Sequence, residues 1–81
     1  MNLDVTIKYI EDNKYENIQK LIALPFQKLY ELKKHYYGWY KNAEEEGYTA
    51  SAQVNYLHFR IIDEAIDIKR GNDEEIWDYL T

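Results

Sequence analysis

Residues 51–69 read S-A-Q-V-N-Y-L-H-F-R-I-I-D-E-A-I-D-I-K, and this stretch decides how the rest of the chain folds. Apolar side chains recur in it every three or four residues, which is the periodicity of one face of an α-helix. A second apolar row lies beside the first, so the predicted helix needs other elements to cover it. The first row contains Ala50, Val54, Leu57, Ile61, Ala65 and Ile68, and the second contains Tyr56, Phe59, Ile62 and Ile66.

Two long helices are predicted, one over about residues 25–46 and the quoted one over about residues 50–70. Pro25 suits the first turn of the earlier helix, where its missing N–H leaves no bond unmade. Gly47 is the residue type that commonly follows a helix, and Thr49 or Ser51 is the expected cap of the later helix. Because only a short turn joins the two helices, they are expected to pack antiparallel.

Short helices are predicted at both ends of the chain. Residues 3–10 alternate as a strand would, but no second alternating run exists to pair with them, so we favour a helix; a strand would imply pairing with another protein. Asn13 and Glu16 have the spacing of a capping box, which indicates a second short helix. Asn72 and Glu75 have the same spacing and indicate a final one.

The predicted fold is therefore all-α, a small helical bundle in which two long antiparallel helices are flanked by short helices at both termini. Eighty-one residues leave room for one core, so residues 1–81 are expected to form a single domain. Gly38 lies inside the first long helix and weakens it by roughly 1 kcal/mol relative to alanine. It indicates either the close approach of another helix or a bend.

The composition excludes several kinds of protein. The chain has no cysteine, which rules out a disulfide framework, a thiol nucleophile and a thiolate metal site. Its N-terminus lacks the pattern of a signal peptide, and no stretch approaches the roughly 18 uninterrupted apolar residues that a membrane span needs. We expect a cytoplasmic protein without a membrane partner.

Charge is unevenly distributed along the chain. The net charge is −5, with seven lysines against five acids in residues 1–41 and three basic residues against ten acids in residues 42–81. The acidic half disfavours general binding to nucleic acid and favours either a basic partner surface or solubility alone.

Catalytic groups are sparse. Neither His35 nor His58 has a second histidine one turn away, and Glu31 with His35 could supply at most two metal ligands. The three glycines are isolated, so no phosphate-binding loop is present. We predict no enzymatic activity, no cofactor and no metal.

The carboxylates of the quoted helix favour ion pairs over catalysis. Asp63, Glu64 and Asp67 lie one turn apart on one helix, whereas glycoside hydrolysis needs carboxylates on opposite sides of a cleft. Arg60 with Glu64, and Asp67 with Arg70, are expected to form surface ion pairs.

The nine tyrosines are more than a chain of this length usually has. Tyrosine buries a large ring and keeps its hydroxyl in water, which makes it common in interfaces and at half-buried positions alike. Aromatic anchors within a charged rim are typical of a protein-binding patch. The predicted partner-binding residues are Tyr30, Tyr37, Trp39, Glu44, Glu45, Glu46, Asp73, Glu74, Glu75, Trp77 and Asp78.

Small size, acidic charge and the absence of cysteine resemble the acidic inhibitors that phages carry against host nucleases and defence complexes, anti-CRISPR proteins included. Residues 18–34 resemble the helix–Leu-Pro-aromatic–helix segment of small phage tail-assembly chaperones. Residues 76–81 resemble the terminal peptides that dock on sliding clamps, although packing of Ile76, Trp77 and Leu80 in the core is favoured. These resemblances imply the cytoplasm of a bacterial or phage-infected host cell.

The function predicted is a non-enzymatic protein-binding module. It would be a small acidic regulator or inhibitor that occupies a basic surface of a larger protein or nucleoprotein complex, and a homodimer is a further possibility. One alternative is a phage morphogenesis or tail-assembly chaperone. Another is single-stranded nucleic-acid binding through the lysines and tyrosines of residues 26–41, which the acidic net charge disfavours.

Overall fold

The structure, a computed structural model, describes residues 3–71 of the chain. About 90% of these residues are helical, and no strand occurs among them, so the predicted all-α class is confirmed for this range. The predicted C-terminal helix lies outside the described residues. Residues 3–71 form four helices, α1 (Leu3–Asp12), α2 (Lys14–Ile22), α3 (Phe26–Glu45) and α4 (Thr49–Gly71).

The junction of α1 and α2 differs from the predicted capping box. Residues 3–10 are helical, as favoured, and α2 begins after Asn13 as expected. The Asn13 side chain, however, makes no capping bond to α2. Its Nδ2 donates to the carbonyl oxygen of Tyr9 at 2.8 Å, so it satisfies the end of α1 instead. The preceding helix supplies an acceptor that sequence spacing alone does not reveal.

The turn between α2 and α3 is fastened by a residue from α4. Pro25 precedes α3 with φ −60° and ψ 150°, so the helix begins one residue later than predicted. The Lys69 ammonium donates to the carbonyl oxygen of Leu24 and lies 5.0 Å from the centroid of the Phe26 ring. The cation thus satisfies the Leu24 carbonyl in the turn after α2 and contacts a ring at the start of α3.

Gly47 ends α3 as predicted, in the arrangement known as a Schellman motif. Its φ is +80°, and its N–H donates to Glu44 at 3.2 Å, while the N–H of Tyr48 donates to Ala43 at 2.8 Å. Both bonds satisfy carbonyls at the end of the helix. The positive φ explains why glycine stands here, since a side chain is strained in this conformation.

Two other local predictions left alternatives open. The cap predicted for α4 is wrong in both forms, because the helix already begins at Thr49 and neither Thr49 nor Ser51 precedes it; the Ser51 hydroxyl accepts a bond from Asn55 at 3.2 Å. Gly38 does not mark a close approach of another described helix, because a Cβ placed on it would meet no atom within 4 Å.

The core consists of two clusters, and α4 contributes to both. Its first apolar row packs against α1 and α2, and its second row packs against α3. Each of the three other described helices therefore contacts α4. The first cluster contains Ile10, Ile18, Ile22, Ile61, Ala65 and Ile68, and the second contains Leu29, Ile62 and Ile66.

Ion pairs reinforce the contacts of α4 on both sides. Lys14 Nζ lies 2.7 Å from Glu64 Oε2, and Lys33 Nζ lies 2.6 Å from Asp63 Oδ1. The prediction of an Arg60–Glu64 ion pair is wrong, because the Glu64 carboxylate pairs with Lys14 of α2 instead. The Asp67–Arg70 pair is confirmed at 3.5 Å. Such exposed pairs contribute about 0–1 kcal/mol each.

Among the described residues, no helix is both long enough and apolar enough to cross a membrane.

The same substitution is expected to have opposite effects at Gly47, which follows α3, and at Gly38, which lies within it. Gly47→Ala places a Cβ at φ +80° and is expected to lower the free energy of unfolding by about 1–2 kcal/mol. Gly38→Ala fills open space within α3 and is expected to raise it by up to about 1 kcal/mol. Urea unfolding followed by far-UV circular dichroism measures both variants, and equal effects of the two would contradict the turn geometry.

Candidate binding surface

Four rings from α3 and α4 form one connected cluster, which we call the aromatic face: Tyr37, Tyr40, Tyr56 and Phe59. Each pair on one helix is three residues apart, so both rings of a pair emerge on the same side. The ring centroids of Tyr37 and Phe59 are 5.4 Å apart, and those of Tyr40 and Tyr56 are 4.9 Å apart. These distances are typical of favourable aromatic pairs, so the rings hold the two helices in register.

The aromatic face is open to solvent on its outer side. Tyr37 remains 45% exposed and Tyr56 remains 40% exposed, while Tyr40 and Phe59 are half-buried. Contiguous exposed rings are uncommon on a monomer surface unless they contact something. The cluster therefore has the composition of an interface core, in which tyrosine is enriched.

Three cations lie along the edge of the aromatic face. Lys33 is 5.6 Å from the centroid of Phe59, Lys41 is 5.6 Å from that of Tyr40, and the Arg60 guanidinium is 6.0 Å from that of Tyr56. These separations fall within the range of cation–π attraction. Lys33 is also paired with Asp63, so part of its charge is compensated.

Hydrogen bonds tie two tyrosines to neighbouring charges. A hydrogen bond to the Glu44 carboxylate raises the pKa of Tyr40 above its usual value of 10.0. Arg60 Nη1 donates to the Tyr56 hydroxyl at 3.4 Å, and this bond raises the pKa of Arg60. The raised pKa keeps Tyr40 protonated at neutral pH.

A shallow cleft of about 440 Å³ adjoins the aromatic face between α3 and α4. Its lining is Tyr30, Lys33, Lys34, Tyr37 and Phe59, with no carboxylate among them. The cleft is thus locally cationic on a chain whose net charge is negative. Tyr30 and Tyr37, which are two of the predicted partner-binding residues, both line this cleft.

Trp39 lies on the other flank of α3, apart from the aromatic face. Its ring packs against Tyr36 at 5.1 Å and His35 at 5.7 Å, and Tyr36 in turn packs against His58 at 5.0 Å. Trp39 is 53% exposed. The predicted aromatic anchors are therefore divided between two surfaces of one helix.

The predicted acidic residues are only partly placed. Glu44, Glu45 and Glu46 are all exposed at the end of α3, and Glu44 lies 3.9 Å from Lys41. The remaining predicted site residues, which are Asp73, Glu74, Glu75, Trp77 and Asp78, lie outside the described residues.

Sequence reasoning did not select Tyr40, Tyr56 and Phe59 as site residues, although they complete the aromatic face. The signal that could have found them is their position at the edges of the apolar stripes rather than at their centres. A ring at the edge of a buried stripe is covered on one side only.

Within residues 3–71, no three histidine, aspartate or glutamate side chains lie close enough together to hold a metal ion.

Compared with protein-family models, curated protein sequences and solved structures, the chain matches none of them.

The burial of His58 leads us to predict how the stability of the fold depends on pH. Burial lowers the pKa of His58 below its usual value of 6.5, and Lys20 lines the same notch between α2 and α4. In the window from the folded-state pKa up to 6.5, the unfolded chain binds more protons than the folded one. Stability is therefore expected to fall as the pH drops through 6.5 towards the folded-state pKa.

Urea unfolding at successive pH values measures this effect. His58→Gln should flatten the dependence in that window, whereas His35→Gln, at an exposed position of α3, should leave it unchanged. Identical curves for His58→Gln and the parent chain would show that His58 does not contribute.

Proposed function

We propose that the chain is a non-enzymatic protein-binding module, a small acidic regulator or inhibitor that occupies a surface of a larger protein. The observation that carries this proposal is the aromatic face, in which four connected rings from two helices remain partly exposed. Buried aromatic anchors contribute most of the binding energy in typical interfaces. Rings already packed against each other lose little conformational entropy on binding, which favours affinity.

The proposed arrangement of the scaffold has α3 and α4 antiparallel. Contacts between the helices support it, because later residues of α3 meet earlier residues of α4. Lys33 pairs with Asp63, Tyr36 with His58, and Tyr40 with Tyr56. In this arrangement the aromatic face and the acidic end of α3 belong to one rigid surface.

The acidic end of α3 indicates the charge of the partner. Glu44, Glu45 and Glu46 are exposed at the end of α3, and Glu44 is hydrogen-bonded to Tyr40 of the aromatic face. We propose that the three carboxylates approach a basic region of the partner. Such rim charges mainly change the rate of association and its dependence on salt. The absence of cysteine fits the cytoplasmic location that we propose for this complex.

A second candidate function is single-stranded nucleic-acid binding. It is favoured by Lys33, Lys41 and Arg60, which lie 5.6–6.0 Å from ring centroids of the aromatic face. Cations beside exposed rings can hold phosphates while bases stack. Asp63 and Glu44 lie close to two of these cations, which weakens their attraction for phosphate.

Paired tyrosine variants test the aromatic face. Capture of a partner from lysate by the tagged chain, at about 1 µM, should drop at least tenfold for Tyr37→Ala with Tyr56→Ala, since each anchor contributes on the order of 1–2 kcal/mol. The control variant is Tyr9→Ala with Tyr48→Ala, which removes tyrosines 68% and 64% exposed outside the aromatic face. Equal loss in both variants would contradict the proposal.

The same capture experiment separates protein from nucleic acid. A protein partner should persist after nuclease treatment, and Glu44→Lys with Glu45→Lys and Glu46→Lys should slow its association most strongly at low salt. Loss of all capture after nuclease treatment would instead support the second candidate.

A further inference from the structure

The exposed flank of α3 carries a stripe whose residues are spaced by four, three, four and three. These residues are Tyr30, Lys34, Tyr37, Lys41 and Glu44, and all five are exposed. We call them the α3 stripe. Alternating steps of three and four are the spacing by which one helix packs along another. α4 packs on the neighbouring side of α3 through Leu29 and touches the stripe at Tyr37 through Phe59, and all five side chains of the stripe remain exposed.

The order of charges along the α3 stripe distinguishes two ways of pairing it. In a parallel pair of copies, Lys34 would face Lys34 and Glu44 would face Glu44, which places like charges together. In an antiparallel pair related by a two-fold axis, Lys34 faces Glu44 of the second copy, and Tyr37 faces its Lys41. The stripe is therefore complementary to itself in one orientation only, as a two-fold symmetric interface requires.

From this self-complementarity the geometry points to an antiparallel homodimer in which the α3 stripes of two copies pack against each other. This inference goes beyond the proposed function and does not depend on it, because its tests measure self-association and not capture of a partner. Tyr37 and Glu44 belong to both surfaces, so a partner protein that binds them would compete with the second copy.

One charge of the stripe, that of Lys34, supports a second copy as the occupant. Among the described residues, Lys34 has no ion pair, so a carboxylate from a second copy would supply one. The cleft beside it is lined by Lys33 and Lys34 and by no carboxylate. Glu44 of the second copy would reach this cleft. Lys41 already lies 6.0 Å from the Tyr37 ring of its own chain, which shows that this ring accepts a cation on its face.

The size of the stripe sets the strength of the dimer. A 20-residue helix is about 30 Å long, so one face of it buries on the order of 500 Å² per copy. This is less than the roughly 800 Å² per partner of a standard stable interface. We therefore expect dissociation with a Kd between about 10 µM and 1 mM, and a monomer at lower concentrations.

Charge reversal with rescue tests the pairing. By sedimentation equilibrium up to about 1 mM, Lys34→Glu and Glu44→Lys should each raise the Kd about tenfold or more, because symmetry converts two attractions into two repulsions. The double variant Lys34→Glu with Glu44→Lys restores opposite charges and should recover the dimer. Lys20→Glu, a reversal on α2 outside the stripe, is the matched control, and circular dichroism verifies the fold of each variant.

Disulfide crosslinking tests the orientation, and the cysteine-free chain provides a clean background. Lys34→Cys mixed with Glu44→Cys should give a mixed disulfide, whereas Lys34→Cys alone should give none. In the antiparallel dimer its two copies are about 15 Å apart along the helices, beyond disulfide reach. A monomer at 1 mM, an unrescued double variant, self-crosslinking of Lys34→Cys alone, or association only in the presence of nucleic acid would each overturn the inference.

Discussion

The two apolar rows of α4 are the constraint on which the rest of the structure depends. Leaving them in water would cost about 1.5–3 kcal/mol for each large side chain. One partner helix can cover only one row, so α4 requires cover on two sides, and α1 with α2 takes one side while α3 takes the other. Because Ile61 and Ile62 are adjacent in sequence yet belong to different clusters, the two halves of the core share a single helix.

The same arrangement explains why tyrosines are concentrated between α3 and α4. When a core is built around one helix, many side chains lie at the margin of a helix–helix contact, where they are covered on one side only. Tyrosine suits this position because its ring packs inward while its hydroxyl remains solvated. Tyr40 and Tyr56 show the pattern, since their rings contact each other and their hydroxyls engage Glu44 and Arg60. The aromatic face thus results from the way in which α3 and α4 close the core.

Periodicity and turn chemistry correctly predicted those features of the fold that depend on neighbouring residues in the sequence. The helical rows of α4 and the glycine at the end of α3 follow from spacing and conformational preference, and the helical state of residues 3–10 was predicted because no second alternating run exists to pair with them. Predictions that depended on a choice between partners were less successful. Asn13 bonds Tyr9 rather than α2, and Glu64 pairs with Lys14 rather than Arg60. Both groups had several acceptors or donors within reach, and only the packed fold selects among them.

The sequence could identify exposed aromatic residues but could not assemble them into a surface. Tyr37 and Trp39 are two residues apart, and a helix places them on different flanks. Tyr37 joins Phe59 from α4, whereas Trp39 remains with His35 and Tyr36. The contribution of α4 to the site could be predicted only after the register between the two helices was known.

The contact of Lys69 with the α2–α3 turn bears on the order in which the chain assembles. This contact joins residues 45 positions apart, whereas α3 and α4 are connected through three residues. Closing a long loop costs more entropy than closing a short one, so α3 and α4 should associate first and α1 with α2 should dock later. The later unit should also open first, and native-state hydrogen exchange would then show α1 and α2 exchanging faster than α3 and α4. The aromatic face would thus remain folded when α1 and α2 separate from α4.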